Sequence, residues 1–158
     1  MEPLATPPID RRTSLGYLIN HLARLMEHAL RDRIAEYGVV SGQFAQLLAL
    51  YEQDGVPQHE LCEKVRIDQS TMAHTLKRME RDGLIQRTAD PADGRRALIH
   101  LTERAQRLRA ALVSVAHEVN DIAAAGFSGP REEDFLRMAR QAIGNLEADR
   151  AHLNGKER

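Results

Sequence analysis

The stretch from Pro57 to Thr102 admits few folds. It opens with a short run of helical apolar spacing, PQHELCEKV, and passes through a tight turn, RID, into a second helical run, QSTMAHTLKRMERDG. Two β-prone runs follow, LIQRT and ALIHLT, joined by the turn-rich loop ADPADGRR. Two short helices linked by a few residues make a helix-turn-helix, whose second member can enter a major groove. A basic hairpin directly after it is a wing that can reach the neighbouring minor groove. The order of elements places cationic and hydrogen-bonding side chains on two adjacent structures, which is the arrangement a reader of double-stranded DNA needs.

Charge supports this reading once it is resolved along the chain. The net charge is -1, yet residues 64–109 hold 11 Lys/Arg against 6 Asp/Glu, and the remainder holds 11 against 17. Cations gathered on one surface suffice for a polyanion, whatever the total. Aromatics are 4% and Trp is absent, so the core must rest on Leu, Ala, Ile, Val and Met, a palette that favours helices. The single cysteine, Cys62, cannot close an intrachain disulfide. No apolar run approaches the roughly 18 residues of a membrane span, and MEPLATPPIDRRT lacks the apolar centre of a secretory signal. A cytoplasmic address and no membrane partner are the expectation.

Punctuation divides the chain into parts. Residues 1–12 carry three prolines and read as a flexible arm. Residues 13–38 read as a long helix from Thr13 to about Tyr37, with Leu15, Leu18, Ile19, Leu22, Leu25, Met26 and Ala29 at helical spacing and Gly38 as its C-terminal stop. Ser41 is placed to cap a second helix, GQFAQLLALYEQ, and Asp54-Gly55 ends it. The DNA-reading domain is then 41–101. Thr102 reads as the cap of another long helix, with Leu108, Ala111, Leu112, Val115, Val119 and Ile122 inward. After GFSGP, Pro130 suits the first turn of a last helix, expected to bury Phe135, Met138, Ala139, Ala142, Ile143 and Leu146. Residues 13–38 and 102–148 thus form a helical region flanking the reader, and 149–158 reads as a frayed polar tail. Amphipathic helices this long need a partner for a broad apolar face. A two-fold pair of copies would supply it and would read two half-sites of a pseudo-palindromic operator about one turn apart.

Within the motif, Met72, Leu76 and Met79 repeat at i, i+4 and i+7 and should face the core. The opposite side then offers Gln69, Ser70, Thr71, His74, Lys77 and Arg78 to base edges and phosphates, with Asp68 as N-cap. In the loop, Asp93 stands two residues before Arg95, close enough to orient its guanidinium into a narrow minor groove. Arg87 and Arg96 read as phosphate contacts. The competing interpretation is a solvated helix face and a hairpin tip that merely stays soluble.

The run IDQSTMAHTLKRMERDGLIQRTADPADGRRALIHLT resembles the winged helix-turn-helix of MarR-type transcriptional regulators, and the order and length of the flanking helices match as well. Asp93-Gly94-Arg95, followed by Leu101-Thr102, is the most specific part. The resemblance implies a mainly α fold with a small β-wing, a winged helix-turn-helix with a helical dimerisation region, and an obligate homodimer. It also implies repression relieved by a small molecule, often a phenol or aromatic carboxylate, held between the dimerising and DNA-reading parts. Three positions depart from the pattern: Arg66 occupies a turn position where glycine is common, His74 one where arginine is frequent, and Ala105 one where glycine usually follows the Leu-Thr pair. Arg66 thereby becomes a further candidate phosphate contact.

For such an effector, Tyr17, His21, Arg24 and His28 fall on one stripe of the first helix, and Arg with His could clamp a carboxylate beside a stacking tyrosine. Ser41, Gln43 and Gln46, with His117, are candidate additions; a stripe that only meets solvent or a second copy is the alternative. Cys62 invites a thiol-sensor reading, but its slot suits a small buried residue. His59 and Cys62 lack a second pair at zinc spacing, and His117-Glu118 is followed by Asp121 where a metalloprotease motif needs histidine. No glycine-rich phosphate loop is present. The expectation is therefore no enzyme, no metal and no cofactor. A winged fold used for protein contacts without DNA is the alternative outside gene regulation.

Overall fold

The computed structural model describes residues 10–156. Residues 1–9 of the expected arm and 157–158 of the expected tail lie outside the described residues. The chain divides into two compact units, Met1–Asn120 and Asp121–Arg158.

The first unit begins with α1 (Leu15–Ile34). The helix starts two residues after Thr13, and Ser14 caps it by accepting the Tyr17 amide at 3.4 Å. Its end tightens into a 3-10 turn, Ala35–Tyr37, and Gly38 stops it at φ 67°. Glycine is needed there twice over: the left-handed backbone disfavours a side chain, and a Cβ would lie 2.9 Å from the Arg104 guanidinium. The second helix, α2 (Ser41–Glu52), corrects the sequence reading of Ser41 as its cap. Val40 is the cap residue, its amide accepted by the Gln43 side chain at 3.3 Å, which is half of a capping box. Relieved of that duty, the Ser41 hydroxyl donates to Glu27 at 2.9 Å.

A strand not foreseen in the sequence follows, β1 (Val56–Pro57). Then come α3 (Gln58–Val65), α4 (Gln69–Arg81), β2 (Ile85–Ala89), β3 (Ala97–Leu101) and α5 (Glu103–Ala123). The sheet is antiparallel with order β1-β3-β2. Val56 lies opposite Ile99 and Pro57 opposite Leu98, while Ile85 through Ala89 run against Leu101 through Ala97. Asp54 closes the joint by accepting the Leu101 amide at 2.8 Å. Thr102 caps α5 as expected, accepting the Ala105 amide while donating to the Gly83 carbonyl.

One apolar core unites these elements. Met72, Leu76 and Met79 are fully buried against a set that includes Leu47, Leu50, Leu61, Leu84, Ile99 and Leu112. The i, i+4, i+7 repeat is thus the inner face of α4. At its border the Tyr51 hydroxyl donates to the Ala105 carbonyl at 2.8 Å, fastening α2 to α5.

The second unit holds the end of α5, the turn at Gly126, and α6 (Gly129–Lys156), with Pro130 in the first turn of α6. Phe127 and Phe135 meet edge to face at 5.8 Å. Two expectations change here. The helix continues to Lys156, past the Ala148 where the polar sequence suggested fraying, with Asn154 and Gly155, the first residues of the stretch that favour a stop, only in its last turn. And Met138, Ile143 and Leu146, expected to be buried, are 57%, 48% and 71% exposed. Leu15, Leu18, Ile19 and Leu25 of α1, and Ile122 of α5, are likewise exposed. Periodicity found the apolar faces; a lone chain does not supply their cover.

Candidate nucleic-acid interface

The turn from α3 to α4 is set by Arg66, the only non-glycine with positive φ among the described residues, at 59°. Its amide bonds to the Cys62 carbonyl and ends α3. A left-handed residue other than glycine costs roughly 1–2 kcal/mol, and here it places a guanidinium-bearing side chain at the mouth of the motif.

Asp68 then starts α4, as the sequence predicts. One carboxylate oxygen accepts the Thr71 amide at 2.9 Å and the other the Thr71 hydroxyl at 2.6 Å. The side-chain bond from Thr71, and after it the backbone amides, hold the Asp68 carboxyl below the usual carboxylate range. Thr71 has spent its proton on Asp68, so its hydroxyl meets any further partner as an acceptor. Gln69, Ser70, Thr71, His74, Lys77 and Arg78 are all exposed on the face opposite the core. The positive end of the helix dipole lies at the Gln69 end, where anionic groups are favoured. The preceding helix, α3, reaches across to the same end. The Gln58 amide nitrogen donates to the Gln69 backbone carbonyl at 3.3 Å and to its side-chain oxygen at 3.0 Å.

The far end of α4 is tied down with equal care. Arg104, from the first turn of α5, donates one guanidinium nitrogen to the Asp82 carbonyl at 3.1 Å and another to the Tyr37 carbonyl at 2.9 Å. The Gln43 side chain donates to the Asp82 carboxylate at 2.7 Å. Arg81 first, and then Gln43, hold the Asp82 carboxyl low. The starts of α2 and α5 thus both grip the end of the reading helix, and Arg104 ties it to the 3-10 turn after α1.

In the wing, Arg95 and Arg96 are exposed at the loop. Asp93 does something other than steer the Arg95 guanidinium: its carboxylate accepts the Arg95 backbone amide at 3.1 Å, and its carbonyl accepts the Arg96 amide at 2.9 Å. Asp90 likewise accepts the Ala92 amide at 2.8 Å. A short acid finds a nearby amide before it finds the end of a long side chain. The aspartates therefore shape the loop backbone and do not hold the arginine guanidinium groups. Arg87 differs, since its guanidinium lies 3.5 Å from Glu80 of α4, joining wing to reading helix.

The residues suggested for an effector are not gathered at one place. Tyr17 and His21 stack at 6.2 Å with Arg24 beside His21, on the exposed side of α1. His28 lies near Glu27, Ser41 is bonded to Glu27, and His117 is exposed on α5. Gln43 is buried and committed to Val40 and Asp82. Gln46 is buried with its side-chain oxygen unpaired. A cavity of about 210 Å³ does lie among α1, α2 and α5, lined by Met26, Leu30, Phe44, Leu48, Ala116, Val119 and Asn120. Of those residues the sequence reading named Met26 and Val119, as positions on apolar helix faces, and none as lining a ligand site.

Cys62 is 7% exposed. Burial, then the charges of Asp68 and Glu63, push its thiol up, which favours the inert form. Among the described residues no group of three or more His, Cys, Asp or Glu is arranged to hold a metal, and no helix is long and apolar enough to cross a membrane. Sequence reasoning missed Gln58 and Arg104. Both act through contacts that local spacing does not announce.

Comparison with known proteins agrees with this geometry. The model of the MarR family matches residues 41–97, the stretch from α2 to the root of β3. The transcriptional regulator HosA of Escherichia coli O111:H- is 31% identical over 123 residues, covering 78% of this chain and 86% of that protein. The PcaV transcriptional regulator of Streptomyces coelicolor, solved in complex with its natural ligand, superposes with a TM-score of 0.79 at 28% identity, covering 88% of this chain and 98% of that one. A MarR-type regulator of Listeria monocytogenes complexed with a 26mer DNA shares the fold at a TM-score of 0.80 and 23% identity, over 87% and 91% of the two chains. With HosA matched across most of its length and the winged helix in place, the chain belongs to the MarR family of DNA-binding transcriptional regulators.

Proposed function

We propose that this protein is a homodimeric repressor that reads a pseudo-palindromic operator and leaves it when a small aromatic acid or phenol binds. The observation that carries the reading is the exposed face of α4, Gln69 through Arg78, alongside wing arginines whose aspartates are occupied with backbone amides. In this reading α4 enters the major groove, Arg95 enters the adjacent minor groove, and Lys77, Arg78, Arg96 and Arg66 meet phosphates. The exposed apolar faces of α1 and α6 support dimerisation, since leaving them in water is costly at roughly 25 cal/mol per Å². Effector binding is best accommodated in the cavity among α1, α2 and α5, which suits one apolar ring and offers Asn120 as its polar contact. PcaV, a structural neighbour solved with its natural ligand, supports a ligand-responsive protein. A ligand preferring a dimer with wrongly spaced reading helices shifts the population from DNA, by no more than its difference in affinity for the two states.

The test is a fluorescence-anisotropy titration against a randomised duplex library at several salt concentrations, repeated with hits from a thermal-shift screen of aromatic acids and phenols. Specific enrichment, a steep loss of affinity with salt and release by at least one hit are expected. Binding that ignores both sequence and salt would sink the reading in favour of a protein-contact module. Buried Cys62 argues against the thiol-sensor reading.

A further inference from the structure

We infer that Gln58, on the helix preceding the reading helix, decides which chemical group Gln69 shows to a base, and so sets base preference without being the reader. The inference rests on the proposed reading of DNA by α4. A glutamine amide has one accepting and one donating side. Free at the start of α4, Gln69 could present either by turning its last torsion, and pairing with adenine uses both.

The structure removes that freedom by a chain of hydrogen-bond logic. The Gln69 backbone carbonyl only accepts, so the Gln58 side-chain atom 3.3 Å from it must be the amide nitrogen. That same nitrogen lies 3.0 Å from the Gln69 side chain and must face an acceptor, which fixes Oε1 inward. The Gln69 Nε2 hydrogens are therefore directed away from Gln58, and one lone pair of Oε1 is already used. Gln69 so held offers both Nε2 hydrogens but only the one remaining lone pair of Oε1, so donation outweighs acceptance. It suits edges that accept in the major groove, above all guanine with N7 and O6. It suits cytosine less, since N4 only donates and a single lone pair is left to meet it. Gln58 is half-buried and Gln69 exposed, so the orienting residue sits behind the one that meets the groove.

The experiment is selection of binding sites from a randomised duplex by the full chain, its Gln58→Leu and Gln58→Glu variants, and Gln69→Ala. Wild type is expected to prefer guanine over cytosine, by about fivefold or more, at one position of each half-site. Gln69→Ala should erase the preference at that position and no other. In Gln58→Leu the amide turns freely and the preference levels. A carboxylate at 58 can only accept, so Gln58→Glu draws the Gln69 nitrogen inward and levels or inverts it. Circular dichroism and sedimentation establish that each variant is folded and assembled as wild type. Unchanged preference in both Gln58 variants, or a loss spread evenly over all positions, overturns the inference. If wild type selects no sequence at all, the DNA-reading proposal itself fails, and the two failures are thereby separable.

Discussion

Arg104 bridges two carbonyls that belong to different helices, and its removal gives the most demanding test of how the reading head is held. In Arg104→Met the aliphatic stem remains and both charge-assisted bonds, to Asp82 and Tyr37, are lost. Hydrogen bonds to charged groups contribute about 1.5–3 kcal/mol each. The site is part-buried, so water recovers some of this, and a loss of about 2–4 kcal/mol is expected. With a urea slope near 2 kcal/mol/M, the unfolding midpoint should fall by about 1–2 M at fixed protein concentration, a condition required for any chain that assembles. Lysine at 104 should restore roughly half, because a single ammonium replaces a planar fork. Gly38 provides an internal control. Gly38→Ala suffers both left-handed strain and the 2.9 Å approach of the guanidinium, so its cost should shrink in the Arg104→Met background, leaving about 1 kcal/mol of backbone strain. A midpoint shift under about 0.3 M in Arg104→Met, or full additivity of the two changes, would refute the clamp.

Three further outcomes follow from the interface. Arg95→Ala should weaken operator binding by about 1–3 kcal/mol with the sedimentation coefficient unchanged; equal anisotropy titrations for variant and wild type would remove the wing from recognition. Because the folded protein holds Asp68 below its ordinary 3.8, its contribution to stability is complete above that value and drains away as pH falls through the lower folded value. Asp68→Asn should accordingly show a flatter decline of thermal stability in acid, and parallel curves would show that the cap is not the source. Cys62 in the native protein should stay inert to a thiol-reactive chromophore and react at once in denaturant; rapid native labelling would revive the sensor reading.

How much of this the residues disclosed depended on the range of each contact. Asp68, Met72, Leu76 and Met79 were legible because a cap and a helical face are written within one or two turns of chain. The wing was legible from Asp90-Pro91 and Asp93-Gly94, which punctuate locally. β1 was not, since two residues show no alternation and exist as a strand only by pairing with Leu98 and Ile99. The role of Asp93 was half-read: its position before Arg95 was the signal, but the nearer amide won. Arg104 reaches a carbonyl 67 positions away, and no spacing rule detects that. The stripe from Tyr17 to His28 follows from helical spacing alone, and no local rule says what faces it.

The three-stranded sheet has a kinetic corollary. Since β3 is its middle strand and β1 reaches only as far as Leu98, the wing is built like a rod gripped at the handle. Amide exchange should slow sharply from residue 97 towards Leu101 and remain fast from residue 91 to 95. In the proposed encounter with a duplex only the arginine-bearing tip would lose motional freedom; the handle has lost it already, on folding.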